Sequence, residues 1–153
     1  MADIAAFPTV RSILISGNNI NTYIAGADIK AGQVVGFHGT GVSMTVHPFV
    51  TGTHVAVVGI ALYGVSSGGM VAVAGPGCIV NVVNGIQGTD IDAGHYVEAY
   101  GTTSPGTVKE LVVAGGVAVN SKVVGLMLEV NTATAAGTSS KCLITLGVVT
   151  PGA

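Results

Sequence analysis

The chain has 153 residues and a mass of 15.0 kDa, enough for one domain with its own core. Hydrophobic residues make up 49% of it and charged residues only 8%, where roughly 25% is typical of soluble proteins. That balance excludes a disordered chain, and five Lys plus Arg with a net charge of −2 exclude a binder that works by neutralising nucleic-acid phosphates.

The first twenty residues open with Met1–Val10, whose only charge is Asp3 and whose anchoring side chains are Phe7 and Pro8. Residues 1–20 are read as an N-terminal arm and 21–153 as a β domain. The segment lacks a basic region followed by an apolar block, so no secretory signal is expected. No charged residue occurs from Ala31 through Thr89. Glycines and Pro48 interrupt that stretch, and its longest apolar run, Val55–Tyr63, is about nine residues, half of a spanning helix. No membrane association is expected.

Apolar periodicity of the helical kind is nearly absent. Short runs rich in Val, Ile, Thr and Tyr instead predict strands at Arg11–Ser16, Gln33–Phe37, Ser43–Val46, His54–Leu62 and Met70–Ala74. Further strands are expected at Cys78–Val83, His95–Tyr100, Val108–Val113, Lys122–Val130 and Lys141–Val149. Gly75-Pro76-Gly77 and Asn84-Gly85 are tight-turn signatures. The fold class is all-β, a single antiparallel barrel- or sandwich-like domain.

An internal repeat lies over this pattern. Asp28-Ile29-Lys30-Ala31-Gly32-Gln33-Val34-Val35 matches Asp90-Ile91-Asp92-Ala93-Gly94-His95-Tyr96-Val97, and Val57–Leu62 matches Val123–Leu128. Cys78–Val82 is matched with Cys142–Leu146, which gives copies at about 27–83 and 89–149. In each copy the Asp-Ile-x-Ala-Gly segment reads as a turn whose Asp bonds backbone amides and whose Gly takes positive φ. The Val-Val-Gly segment reads as a core strand whose glycine admits a bulge or a close backbone approach.

Motifs for chemistry are thin. Gly64-Val65-Ser66-Ser67-Gly68 fits the nucleophile-elbow spacing, but an alternating strand follows it rather than the helix that motif requires. His38, His47, His54 and His95 are the candidate metal ligands; His47 and His54 are seven apart, and Pro48 and Gly52 break the strand between them, so parity does not place them. No metal is expected. Cys78 and Cys142 are read as buried free thiols. Lys30 sits where a lipoyl lysine would in a pseudo-symmetric hairpin, yet Asp92 takes its place in the second copy. Asp28, Asp90, Asp92, Glu98, Glu110 and Glu129 are scattered, and no pair faces a cleft as hydrolysis would need. No enzyme activity and no cofactor are expected.

The turn-strand x-I-x-A-G-x-x-V, the V-x-G-φ-A-L strand and Gly68-Gly69-Met70-Val71-Ala72-Val73 resemble tailed-phage capsid decoration, or cement, proteins. The likeness covers about 27–149, with Asp90–Val97 and Val123–Glu129 repeating it. It implies a non-enzymatic β protein on the outer surface of an icosahedral head, made in the host cytoplasm. Its partners would be the major capsid protein and itself, as trimers that clamp neighbouring capsid subunits. In such proteins an arm often reaches a neighbour, which makes Ala5, Phe7, Pro8 and Arg11 the interface positions. The sparse charge agrees, since the cores of interfaces are depleted in it. The alternative is a ligand- or carbohydrate-binding β module of a virion surface, for which four tyrosines and no tryptophan are a small stacking supply.

Overall fold

Runs of Val, Ile and Thr bounded by glycine and proline form strands, because β-branched side chains fit a pleated surface and lose freedom in a helix. The computed structural model describes residues 13–38, 45–86, 89–102, 104–111, 122–132 and 139–147. Eleven strands lie within them. The first six are β1 (Leu14–Ser16), β2 (Ile20–Ala25), β3 (Val34–His38), β4 (Thr45–Pro48), β5 (His54–Ala61) and β6 (Met70–Ala74). The others are β7 (Ile79–Val83), β8 (Tyr96–Tyr100), β9 (Thr107–Glu110), β10 (Val123–Met127) and β11 (Ser139–Ile144). The chain is all-β, as its sequence implies.

Strands β2-β4-β3-β5-β6 close into a barrel, and β1-β7-β11-β10-β8-β9 form a second sheet. The named strand pairs are antiparallel except one, β2 with β4, which pair in parallel. The reason is parity: a ring with an odd number of strands cannot alternate direction all the way round. The second sheet bends towards the same closure. Asn84, just beyond β7, forms a parallel bridge to Val108 of β9, and the Gly85 N–H donates to the Val108 carbonyl at 2.8 Å.

The order β7-β9-β8-β10-β11 therefore retraces β2-β4-β3-β5-β6, and the register agrees in detail. Val34 pairs with Ile60 and Ile60 with Ala74 in the first set; Tyr96 pairs with Leu126 and Leu126 with Leu143 in the second. The bridge Ile29↔Val65 has its counterpart in Ile91↔Asn131. Gly32 N–H donates to Ala61 O and Gly94 N–H to Met127 O, both at 2.8 Å. Gly32 and Gly94 carry φ of 85° and 84°, the left-handed conformation the two Asp-Ile-x-Ala-Gly turns call for. Asp28 Oδ1 accepts from the Ser67 N–H at 2.9 Å, the backbone bond expected of that side chain.

The third sequence match takes a different form. After Gly75-Pro76-Gly77 the chain enters β7, which holds the place in the second set that β2 holds in the first. The Cys78 segment thus leads into the second set while the Cys142 strand ends it, and the two run side by side, with Cys142 opposite Val80. They look alike in sequence because each is an apolar run with a buried neighbour. Both thiols are free and buried, and burial pushes Cys142 up to about 12.

Strand β2 lies outside the strands expected from sequence, because Ile20, Thr22 and Ile24 face solvent and not a core. Part of the segment read as an arm belongs to the sheet: Ile13 is fully buried and β1 pairs with β7. One apolar cluster fills the first barrel, built on Ala25, Ile29, Val35, Val46, Ala61, Val71 and Val73. A larger one joins the outside of that barrel (Val34, Phe49, Ile60, Ala74) to Ile13, Val80, Val97, Val124, Met127 and Ile144. No helix of the described residues is long and apolar enough to cross a membrane.

Candidate functional site

The β4-β3-β5 order explains why three histidines meet. β4 and β5 flank β3, so the turn at 49–53 that separates His47 from His54 carries the chain from one side of β3 to the other. His38 pairs across the sheet with His54, and His47 stands opposite Gly36, one pleat from His38. The ring centroids are 5.4 Å (His38–His47), 5.5 Å (His38–His54) and 5.6 Å (His47–His54) apart. With Ala27, Pro48, Val50, Thr53 and Pro105 they line a groove of about 330 Å³ that has no charged residue in its wall.

His54 is the fixed member, 7% exposed, with its ring 5.7 Å from that of Phe49. The Val50 N–H donates to His54 Nδ1 at 2.9 Å, so the neutral ring carries its proton on Nε2. That nitrogen is buried and has no hydrogen-bond partner. Burial holds His54 below its ordinary value; the Val50 backbone bond opposes this, and His47 and His38 add to it. His47 is lowered by burial first and by the neighbouring His38 second. Burial thus favours the neutral form of His47 and His54, and neighbouring imidazoles oppose their charging further. Although the rings are neighbours, no group of three His, Cys, Asp or Glu among the described residues is placed to hold a metal ion.

A pH dependence follows with a definite sign. Groups whose folded pKa lies below the unfolded value of 6.5 leave the unfolded chain binding more protons in that window. Stability is then full above 6.5 and falls as the pH drops through 6.5 and below. The melting temperature should decline over that range, and the decline should be shallower in His38→Gln, which removes one like charge from both neighbours. Parallel pH profiles for the two proteins would contradict this.

The other candidates stand apart. His95 is exposed and pairs with Glu110 on β9. Gly64–Gly68 forms the turn between β5 and β6, with Val65 bridged to Ile29, so strand follows turn and no elbow is formed. Lys30 is exposed in the turn before β3, and Asp90 and Asp92 in the one before β8. Glu98 pairs with Lys109 and Glu129 with Lys141. Ala5, Phe7, Pro8 and Arg11 lie outside the described residues. Sequence spacing singles out His38, His47 and His54 but does not place them together, because they meet only through strand order.

The fold has a solved counterpart. The crystal structure of the N base of head fiber gp8.5 of bacteriophage phi29 matches with a TM-score of 0.52 at 16% identity. The match covers 86% of this chain and 98% of that one. No protein-family model matches the sequence, and no curated protein matches it either.

Proposed function

We propose that the chain is a structural protein of a phage virion, sited on the outside of the head, where it decorates the capsid and clamps neighbouring major capsid subunits as a trimer. The observation that carries this reading is the fold shared over nearly its whole length with the base of a phage head fibre. The sequence likeness to cement proteins and the low charge, 8% of residues, agree with it. The role needs no catalytic group, cofactor, nucleic acid or membrane, and a small-residue β core suits a rigid surface module. In this reading the two strand sets, β2–β6 and β7–β11, are copies of one module.

Purified protein incubated with phage heads that lack it should co-sediment with them and raise the temperature at which they release DNA. Heads that neither retain the protein nor gain stability would overturn the reading. Residues 1–11 carry the proposed contact to a neighbour through Ala5, Phe7, Pro8 and Arg11. A chain shortened by those residues should melt at an unchanged temperature and bind heads at least tenfold more weakly, about 1.4 kcal/mol. Unchanged binding would remove the arm from the contact.

A further inference from the structure

We infer that the apolar face made by Ile24, Tyr63 and Met70 on the first strand set is where a second copy of this chain packs. Ile24 of β2 and Met70 of β6 are cross-strand partners, 51% and 64% exposed. Tyr63 stands beside them, its hydroxyl 3.4 Å from the Met70 carbonyl. Three large apolar side chains so placed in water lose nothing by being covered and gain by burial.

The second strand set shows how the Tyr63 and Met70 part of this surface looks when it faces water, whereas Val83, the register partner of Ile24, is buried there. By register, Met70 corresponds to Ser139, Ala72 to Lys141 and Tyr63 to Glu129. There the Lys141 ammonium and the Glu129 carboxylate pair at 3.5 Å with side chains 47% and 44% exposed. The Lys141 N–H also donates to Glu129 Oε1 at 2.9 Å. One backbone plan thus carries a solvated ion pair in one half and, at the matching positions, Tyr63 and Ala72 in the other, with Met70 in place of Ser139. The rest of the charge divides the same way. Asp28 and Lys30, in one turn and of opposite sign, are the only charged residues of the first set, whereas Asp90, Asp92, Glu98, Lys109, Glu110, Lys122, Glu129 and Lys141 all belong to the second.

Charge also selects the occupant. A face without charge meets its own copy with no like-charge contact, while a charged partner surface would lose hydration and find no counter-ion. Strands β2 and β6 lie inside a closed barrel and offer no free edge, so the contact is made by side chains and not by adding a strand. On the head, the second set's charged face would then be the one left in solvent, a step that rests on the function proposed above.

The test is the native mass by light scattering, for the full chain and for Met70→Lys and Ser139→Lys. The wild type and Ser139→Lys should run as an oligomer of the 15.0 kDa chain. Met70→Lys, which folds because the position is exposed, should weaken association about a hundredfold or more by burying an unpaired charge. A monomeric wild type, or a Met70→Lys protein that keeps its oligomeric mass, would overturn the inference. Head co-sedimentation separates it from the proposed function. Loss of head binding by a Met70→Lys protein of unchanged mass assigns the face to the capsid and overturns the inference alone. A Met70-dependent oligomer that ignores heads overturns the function alone.

Discussion

Replacing Gly125 by alanine is expected to lower the stability of the chain by about 3 kcal/mol, at the upper end of what overpacking a closed sheet costs. A Cβ at Gly125 would run into the Leu143 carbonyl oxygen, with the Leu143 carbonyl carbon at 2.9 Å and Cys142 Sγ at 3.0 Å. The two nearest atoms are backbone and Cys142 is fully buried, so β10 and β11 must move apart. Gly59 holds the same place in the first barrel, where its Cβ would meet the Ala74 carbonyl oxygen and Val73 Cγ1. Gly94→Ala is the matched control. Its φ is 84° but nothing lies within 4 Å of the added carbon, so only backbone strain of about 1 kcal/mol applies. Urea denaturation of the two variants decides the matter: equal losses at Gly94 and Gly125 would show that the Val-Val-Gly glycine is not there for close approach.

Those two glycine pairs also show which parts of the fold are legible in the sequence. A turn that needs positive φ and a strand that needs a missing Cβ are local demands, so each leaves a residue-specific mark at Gly32, Gly94, Gly59 and Gly125. Strand β2 left no such mark, since Ile20 and Ile24 face outward and the run is bounded by Asn18 and Asn19. The match of Cys78–Val82 with Cys142–Leu146 does not mark equivalent strands for a related reason, because such apolar runs say that a strand is buried without saying against what. Long-range order leaves the least trace in the sequence. The Asn84, Asn131 and Ser140 side chains join inside the second set, with Asn84 Nδ2 3.2 Å from Asn131 Oδ1 and Asn131 Nδ2 2.9 Å from Ser140 Oγ. Their register partners in the first set are Ala25, Val65 and Val71, so no motif shared by the copies could have signalled the network. The histidine groove is hidden in the same way, by a strand order that places β3 between its neighbours.

Phe49→Ala should be the most damaging single truncation in the core, costing about 3–5 kcal/mol of a total that is itself on the order of 5–15. Phe49 is fully buried and stands first by volume among such side chains. Its position couples the two strand sets. Its N–H donates to the Val34 carbonyl at 2.9 Å, and its carbonyl accepts the Gly106 N–H from the β8–β9 turn, also at 2.9 Å. The Gln33 side chain reaches the Pro105 carbonyl at 2.9 Å alongside, and Gly101 N–H donates to Thr51 Oγ1 at 3.2 Å. Removing the ring opens a cavity at this joint, next to the His54 imidazole, where water would hydrate a nitrogen that is now dry. Two consequences are then tied together. The variant loses stability at neutral pH, and it also loses part of the extra acid sensitivity, because a hydrated His54 charges at closer to its ordinary value. Phe49→Leu, which keeps most of the apolar volume, should recover most of the stability while the backbone bonds to Val34 and Gly106 stay in place. Denaturant midpoints measured at neutral pH and again below 6.5 read both effects at once. A loss under about 1 kcal/mol for Phe49→Ala would mean that the joint closes over the missing ring. An undiminished acid slope in a clearly destabilised variant would mean that the proton-sensitive contact lies with His38 and His47 and not with the buried ring.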